Sequence, residues 1–221
     1  MYKNLKVMVI LATLLIAGFI VPPHANAQVT QKKALRLGYF PNITHAQAVI
    51  GVGNGDYQKV LGNNIELKPF TFNAGPSATE ALLANQIDAA YIGPNPTVNG
   101  YVVSHGTADR VISGAASGGA VFIVRNDSGI QSPKDFAGKK FASPQLGNTQ
   151  DVALRKYLLD NGYKTKDKGG NVEVLPVKNP DILTLFFKKE IDGAWVPEPW
   201  GEKLIKEGNG RLFLKSEAKR S

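Results

Sequence analysis

Two stretches decide how this chain folds: GPSATEALLANQIDAAYIGPNP, Gly75–Pro96, and NPDILTLFFKKEIDGAWVPEPW, Asn179–Trp200. They align without a gap at a shift of 104 positions, which sets Pro76 on Pro180, Ile87-Asp88 on Ile191-Asp192, Ala90 on Ala194, Tyr91 on Trp195 and Ile92 on Val196. Both read the same way. A proline stands where a first helical turn has no use for an N–H, a helix follows, and a short polar connector leads into a buried strand.

Working outward, IELKP from Ile65 matches VEVLP from Val172, and LRLGYFPN from Leu35 matches GKKFASPQ from Gly138, each at a slightly different shift. Each half therefore reads as strand, loop, helix, strand, loop, helix, strand. Strands are predicted at Leu35–Tyr39, Ile65–Phe72, Ala89–Ile92, Arg110–Ser113, Ala120–Arg125, Lys139–Ala142, Val172–Pro176, Gly193–Val196 and Leu212–Leu214. Helices are predicted at Ala46–Val60, Ser77–Ala84, Val98–Ser104, Gln150–Asn161, Pro180–Lys188 and Glu202–Glu207. Strands alternating with helices predict an α/β fold with largely parallel sheets. We expect two similar lobes, residues 28–117 and 118–221, hinged near the small-residue run GAASGGAV, Gly114–Val121.

The first residues are a different matter. Lys3 and Lys6 precede an apolar run, Val7–Val21, which is followed by Pro22, Pro23 and the small-residue site Ala25-Asn26-Ala27. The run is shorter than the roughly 18 to 20 residues of a membrane span, so residues 1–27 read as a cleaved secretory signal peptide. The chain has no cysteine, which excludes disulfides, thiol nucleophiles, thiolate metal sites and a lipid anchor at the cleavage site. Its 221 residues carry a net charge of +8. The basic residues are scattered rather than gathered in an aromatic-interleaved stripe, so no nucleic-acid partner is expected. There is no phosphate-cradling loop, nucleophile elbow or His-x-x-x-His spacing, and the run Gly51–Gly55 ends a helix instead of following a strand. No metal or cofactor is expected.

Ligands of open parallel sheets bind outside the carboxyl ends of strands. That rule selects Phe40–His45, Asn73–Ser77 and Gly93–Thr97 from the first half, and Ser143–Gln150, Lys178–Asp181 and Pro197–Trp200 from the second. Gly147, Asn148, Thr149 and Gln150 open a helix whose unpaired N–H groups suit an anion, a role we favour over Asn148 or Thr149 merely capping it. Ser77 with Glu80 has the form of a capping box, which we favour over a ligand role. Asn42 and Asn95 lie in the selected loops. Glu198 and Trp200 form a rigid corner able to hold a cationic group or to latch the lobes, and His45 could donate to an anion or be structural.

Four segments together, LRLGYFPNITHAQA from Leu35, the stretch from Thr71 to Pro96, the stretch from Gly114 to Asp151, and Asn179–Trp200, resemble the nitrate, sulfonate and taurine group of ABC-transporter substrate-binding proteins. The resemblance implies a periplasmic-binding-protein fold of the second type. It implies a non-catalytic, monomeric periplasmic protein that closes on a small oxyanion, such as an aliphatic sulfonate, taurine or nitrate, and delivers it to a membrane permease and its ATPase. It places the anionic head group against Ser77, Asn148, Thr149 and Gln150, with Asn42–His45 and Glu198–Trp200 near the cleft. Members of the group continue beyond the equivalent of Leu214, so the resemblance also implies a C-terminal truncation that leaves the first lobe incomplete and an apolar face around Val111 exposed. Two alternatives stay open: an enzyme resembling thiamine-pyrimidine synthases on the same fold, and a ligand-sensing module for a membrane receptor.

Overall fold

The computed structural model describes residues 33–215; the segment read as a signal peptide, residues 1–27, lies outside them. In the N-terminal half, β1 (Lys33–Tyr39), β2 (Ile65–Thr71) and β3 (Ala89–Ala90) form a parallel sheet in the order β2-β1-β3. Its helices are α1 (Ala46–Gly53), α2 (Asp56–Leu61), α3 (Gly75–Leu83) and α4 (Pro94–Val103). In the C-terminal half, β4 (Ala120–Arg125), β5 (Lys140–Ser143), β6 (Glu173–Pro176), β7 (Gly193–Pro197) and β8 (Gly210–Lys215) form a second sheet in the order β6-β5-β7-β4-β8. Its helices are α5 (Thr149–Asp160), α6 (Asn179–Phe187) and α7 (Trp200–Lys206).

The internal repeat is real down to single hydrogen bonds. Leu37 and Gly38 of β1 pair with Ala89 and Ala90, and Phe141 and Ala142 of β5 pair with Gly193 and Ala194, at the same shift of 104. Asp88 donates its N–H to Arg36 O at 2.8 Å and accepts the Arg36 N–H on its carboxylate; Asp192 does both with Lys140, at 2.7 Å and 2.9 Å. Helices α3 and α6 start and stop 104 residues apart, and both are followed by a residue at positive φ, Asn85 at 54° and Lys189 at 60°. After each, a buried isoleucine, Ile87 or Ile191, anchors the chain.

Elsewhere the sequence alignment slips. Pairing sets Leu37 against Phe141, one residue away from the match of LRLGYFPN to GKKFASPQ, and Lys68 against Glu173, two residues away from the match of IELKP to VEVLP. Shared prolines guided those two matches, whereas strand register follows backbone pairing and which face is buried. Two element expectations are also corrected. The helix expected over 46–60 is broken at Gly55, whose φ of 72° caps α2 and leaves helical geometry. The strand expected at Arg110–Ser113 does not form.

The reason for that absence is visible in the second sheet. In the repeat, Arg110–Ser113 corresponds to β8, which bonds not to β7 but to β4, an antiparallel strand inserted between them. Among the described residues the first sheet has no such inserted strand, so β3 is an edge and Arg110–Ser113 lacks a ladder. Val111 and Ile112 are 78% and 90% exposed.

Among the described residues, both contiguous apolar clusters lie in the C-terminal half. On one face of its sheet, Phe122, Phe136, Phe141 and Trp195 pack with Leu154 and Leu158 of α5. On the other, Ile123, Ala194 and Val196 pack with Ile182 and Phe186 of α6 and Leu204 of α7. Strand β4 contributes to both, because its alternating side chains point to opposite faces. The buried apolar side chains of the first half are fewer and smaller, chiefly Leu37, Phe40, Ala48, Ala78, Ala81 and Ile87.

Candidate functional site

The six loops selected by the strand-end rule meet one another across the two halves. Asn73 donates through Nδ2 to Pro144 O at 2.9 Å and accepts the Asn179 N–H on Oδ1 at 3.3 Å. Ser77 Oγ receives the Gln145 amide N–H at 3.0 Å. Trp200 Nε1–H reaches Asn42 Oδ1 at 3.3 Å, and Ile43 N–H reaches Glu198 O at 3.0 Å. Gly93 lies so close to Thr149 that a Cβ there would come within 2.3 Å of Oγ1.

These contacts bring helix N-termini together. The start of α3 lies against that of α4, where Gly75 leaves room for Pro96 and Thr79 Oγ1 donates to Pro96 O at 3.3 Å. The start of α4, at Gly93, lies against that of α5, at Thr149. Asn95 is half-buried in the first turn of α4. Neither α3 nor α4 has an acidic residue in its first turn, so their partial positive charges are not offset from within.

Helix α5 differs. Asn148 caps it, accepting the Asp151 N–H at 2.7 Å, and the 1% exposed Asp151 carboxylate takes the Gly147 N–H at 2.9 Å, the Ser143 hydroxyl at 2.7 Å and the Arg155 guanidinium at 3.1 Å. The Gly147 N–H and the Asn148 side-chain oxygen are thereby engaged at the helix end itself. Thr149 and Gln150 stay half-buried at the junction with α4.

The capping expectation for Ser77 is corrected. Helix α3 begins at Gly75 with Ala74 as its N-cap, so the expected capping box with Glu80 does not form, and the Ser77 hydroxyl is turned to Gln145 across the cleft. Pro76 explains the earlier start, since its fixed φ suits the first turn.

His45 is buried and accepts the Phe40 N–H on Nδ1 at 3.3 Å, with its ring 4.2 Å from that of Phe40. Burial pulls its pKa down to about 4, so the ring is neutral with its proton on Nε2. It braces the loop after β1. Glu198 accepts the Glu202 N–H at 3.0 Å at the start of α7, and its backbone bonds to Ile43 and to Gly119 of the connector, at 3.0 Å and 2.7 Å. These bonds tie the corner to the loop after β1 and to the connector. Trp200 has Lys203 Nζ 4.9 Å from its ring centroid.

Beside these contacts lies a cavity of about 240 Å³ between the halves, lined by Pro41, Asn42, Thr71, Phe72, Asn73, Asn179, Pro180 and Trp200. No charged side chain lines it. Sequence reasoning selected the loops that hold Asn73, Gln145 and Asn179 but not these residues; an amide just before or at a helix start, at the end of a parallel strand, was the available signal. A larger groove of about 410 Å³ runs along β6, but its charges are already paired, Arg155 with Asp167 at 3.1 Å and Lys166 with Glu173 at 2.6 Å. Among the described residues no group of His, Cys, Asp or Glu is placed to hold a metal, and no helix is long and apolar enough to cross a membrane.

Solved structures share this arrangement of paired α/β halves. The alkanesulfonate-binding protein SsuA of Xanthomonas axonopodis pv. citri, bound to MOPS, superposes with a TM-score of 0.67 at 20% identity over 84% of this chain and 61% of that one. Residues 28–218 match the model of the NMT1-like family, and the chain belongs to that family. A Brucella abortus protein named as a binding protein is 30% identical over 57% of this chain and 37% of its own length. The taurine-binding periplasmic protein of Escherichia coli K12 is 23% identical over 73% of this chain and 48% of its own. The chain thus spans between about a third and a half of the curated relatives it matches.

Proposed function

We propose that this chain is the solute-binding component of an ABC importer, taking a small oxyanion such as an aliphatic sulfonate, taurine or nitrate into the cleft between lobes 28–117 and 118–221. The observation that carries this reading is the meeting of the α3, α4 and α5 N-termini, each with N–H groups that lack intrahelical partners. Ser77, Asn95, Thr149 and Gln150 line that meeting point and supply hydroxyl and amide donors. Asn42 and Trp200 close the adjoining wall, while His45, Gly147, Asn148 and Glu198 hold the loops in place. The relatives' printed roles in sulfonate and taurine binding point the same way.

In this reading the protein is exported by residues 1–27, works as a periplasmic monomer, hinges at Gly114–Val121 and hands its solute to a permease and ATPase without chemical turnover. Gly118 and Gly119 both hold positive φ, at 75° and 74°, which suits a connector that must turn sharply. The cavity volume favours the organic members of the ligand set. About 240 Å³ is several times the roughly 30 Å³ share of one water, more than a bare nitrate fills.

Thermal unfolding of residues 28–221 with taurine, alkyl sulfonates, nitrate and bicarbonate tests the proposal. A ligand at 100 times its dissociation constant adds about 2.7 kcal/mol of stability, and Ser77→Ala with Thr149→Ala should abolish that gain while leaving the ligand-free transition in place. A transition that no oxyanion raises would overturn it.

A further inference from the structure

We infer that the Asn73 and Gln145 side chains form a clasp that closes the two lobes by protein contacts alone, so that opening precedes solute entry whatever the solute is. Asn73 stands just beyond β2 in the first lobe and commits both ends of its amide to the second. Its Nδ2 donates to Pro144 O at 2.9 Å, and its Oδ1 accepts the Asn179 N–H at 3.3 Å. Gln145 answers from the second lobe, meeting the Ser77 hydroxyl with Nε2 at 3.0 Å and Oε1 at 3.3 Å.

The bond to Asn179 gives the reason for an amide at position 73. Helix α6 starts at Asn179 after Lys178, whose side chain is a donor only and makes no capping bond, so the first N–H of the helix lacks a local acceptor. Asn179 is 3% exposed, and its own Oδ1 is buried without a hydrogen-bond partner. Asn73 therefore serves the start of α6 from the other lobe, and parting the lobes removes that service. At the 104-residue shift that relates α3 to α6, Asn73 corresponds to Val177, whose side chain cannot hydrogen-bond. The clasp is thus an addition to the repeated unit, made by the first lobe only.

Every group in the clasp is neutral, and among the described residues each ion pair stays within one lobe. Closure then depends on a few hydrogen bonds of modest net worth, which water can replace once the lobes part. Glu198 meanwhile bonds both Ile43 and Gly119 of the connector, which keeps the lobes joined there while the clasp releases. None of this depends on which solute the cleft takes.

The chain has no cysteine, so spin labels on Val60→Cys and Lys188→Cys, exposed positions in different lobes, report the distance between the lobes without competing sites. Electron–electron double resonance on residues 28–221 without solute should give one narrow distance. Asn73→Ala, which deletes two bonds between the lobes, should add a second population and raise the open-to-closed ratio about tenfold, and Gln145→Ala should raise it less. A broad or split distribution in the protein with Asn73 and Gln145 intact, or an unchanged one in the folded variants, would overturn the clasp. If Asn73→Ala does not fold, Gln145→Ala decides alone: a second population supports the clasp and an unchanged distance overturns it.

Discussion

The two halves share a pattern of bonds but not a core. Around Asp88 and Asp192 the same backbone and carboxylate hydrogen bonds recur 104 residues apart, and helices α3 and α6 match in length and position. Yet Trp195 stacks at 5.4 Å on Phe122 of the inserted β4, while its counterpart Tyr91 shares a 2.7 Å hydroxyl bond with Tyr57 and has no such strand beside it. The difference teaches that the repeat supplies local geometry, whereas a strand from outside the repeat supplies the packing. Val98, Val102, Val103, Val111 and Ile112, all at least 60% exposed, belong to the half without that strand.

The sharpest way to break this contrast is at β4. Phe122 is fully buried and touches the rings of Phe136, Phe141, Tyr157, Trp195 and Phe213, so Phe122→Ala should cost about 4 kcal/mol in urea unfolding. A loss near 1 kcal/mol would mean that the inserted strand does not hold the second half together. Next come the paired isoleucines. Ile191→Ala, inside a contiguous cluster, should lose about 3 kcal/mol, and Ile87→Ala, outside one, about 2 kcal/mol, because looser surroundings collapse into the cavity more readily. Equal losses would erase the energetic asymmetry.

His45 sharpens the comparison by pH. Its folded pKa, lowered by burial to about 4 from 6.5, means that the unfolded chain binds the proton more tightly, so its contribution is present above pH 6.5 and is lost as pH falls towards 4. Between pH 7 and pH 5 the loss is about 2 kcal/mol, and it should vanish in His45→Gln, read from urea midpoints at each pH. The smallest effect belongs to the repeated carboxylates. Arg36, by side-chain and backbone hydrogen bonds, holds the Asp88 pKa down at about 2, so that pair's contribution is full above pH 4 and fades below it. At a third exposed, the pair is screened by solvent and contributes little. Asp88→Asn should therefore cost slightly more than Asp192→Asn, whose carboxylate takes the Lys140 backbone N–H without a guanidinium partner, which urea unfolding of the two variants can check.

Much of the site was legible as loops and little of it as roles. The strand-end rule selected all six segments that meet, because the carboxyl ends of parallel strands lie on one side of each sheet whatever the side chains are. It could not separate Asn148, which caps α5, from Ser77, which reaches across the cleft, since both are small polar residues near a helix start. That choice depends on where the helix begins, and Pro76 moved one beginning by two residues. Nor could it anticipate Asp151, whose four-residue offset from Gly147 becomes a bond only once the loop turns at a φ of 75°.

The sequence by itself determined the duplicated unit, its helices and strands, and the side of each sheet on which a cleft must lie, because apolar periodicity, proline and glycine act within a few residues of themselves. The tertiary structure decided the rest: the register of β1 against β5 and β2 against β6, the failure of Arg110–Ser113 to form a strand, and the isolation of Asn179 Oδ1. Each of these depends on a partner far along the chain. A backbone or side-chain polar group is satisfied or stranded by what lies beside it, and no local pattern records that neighbour.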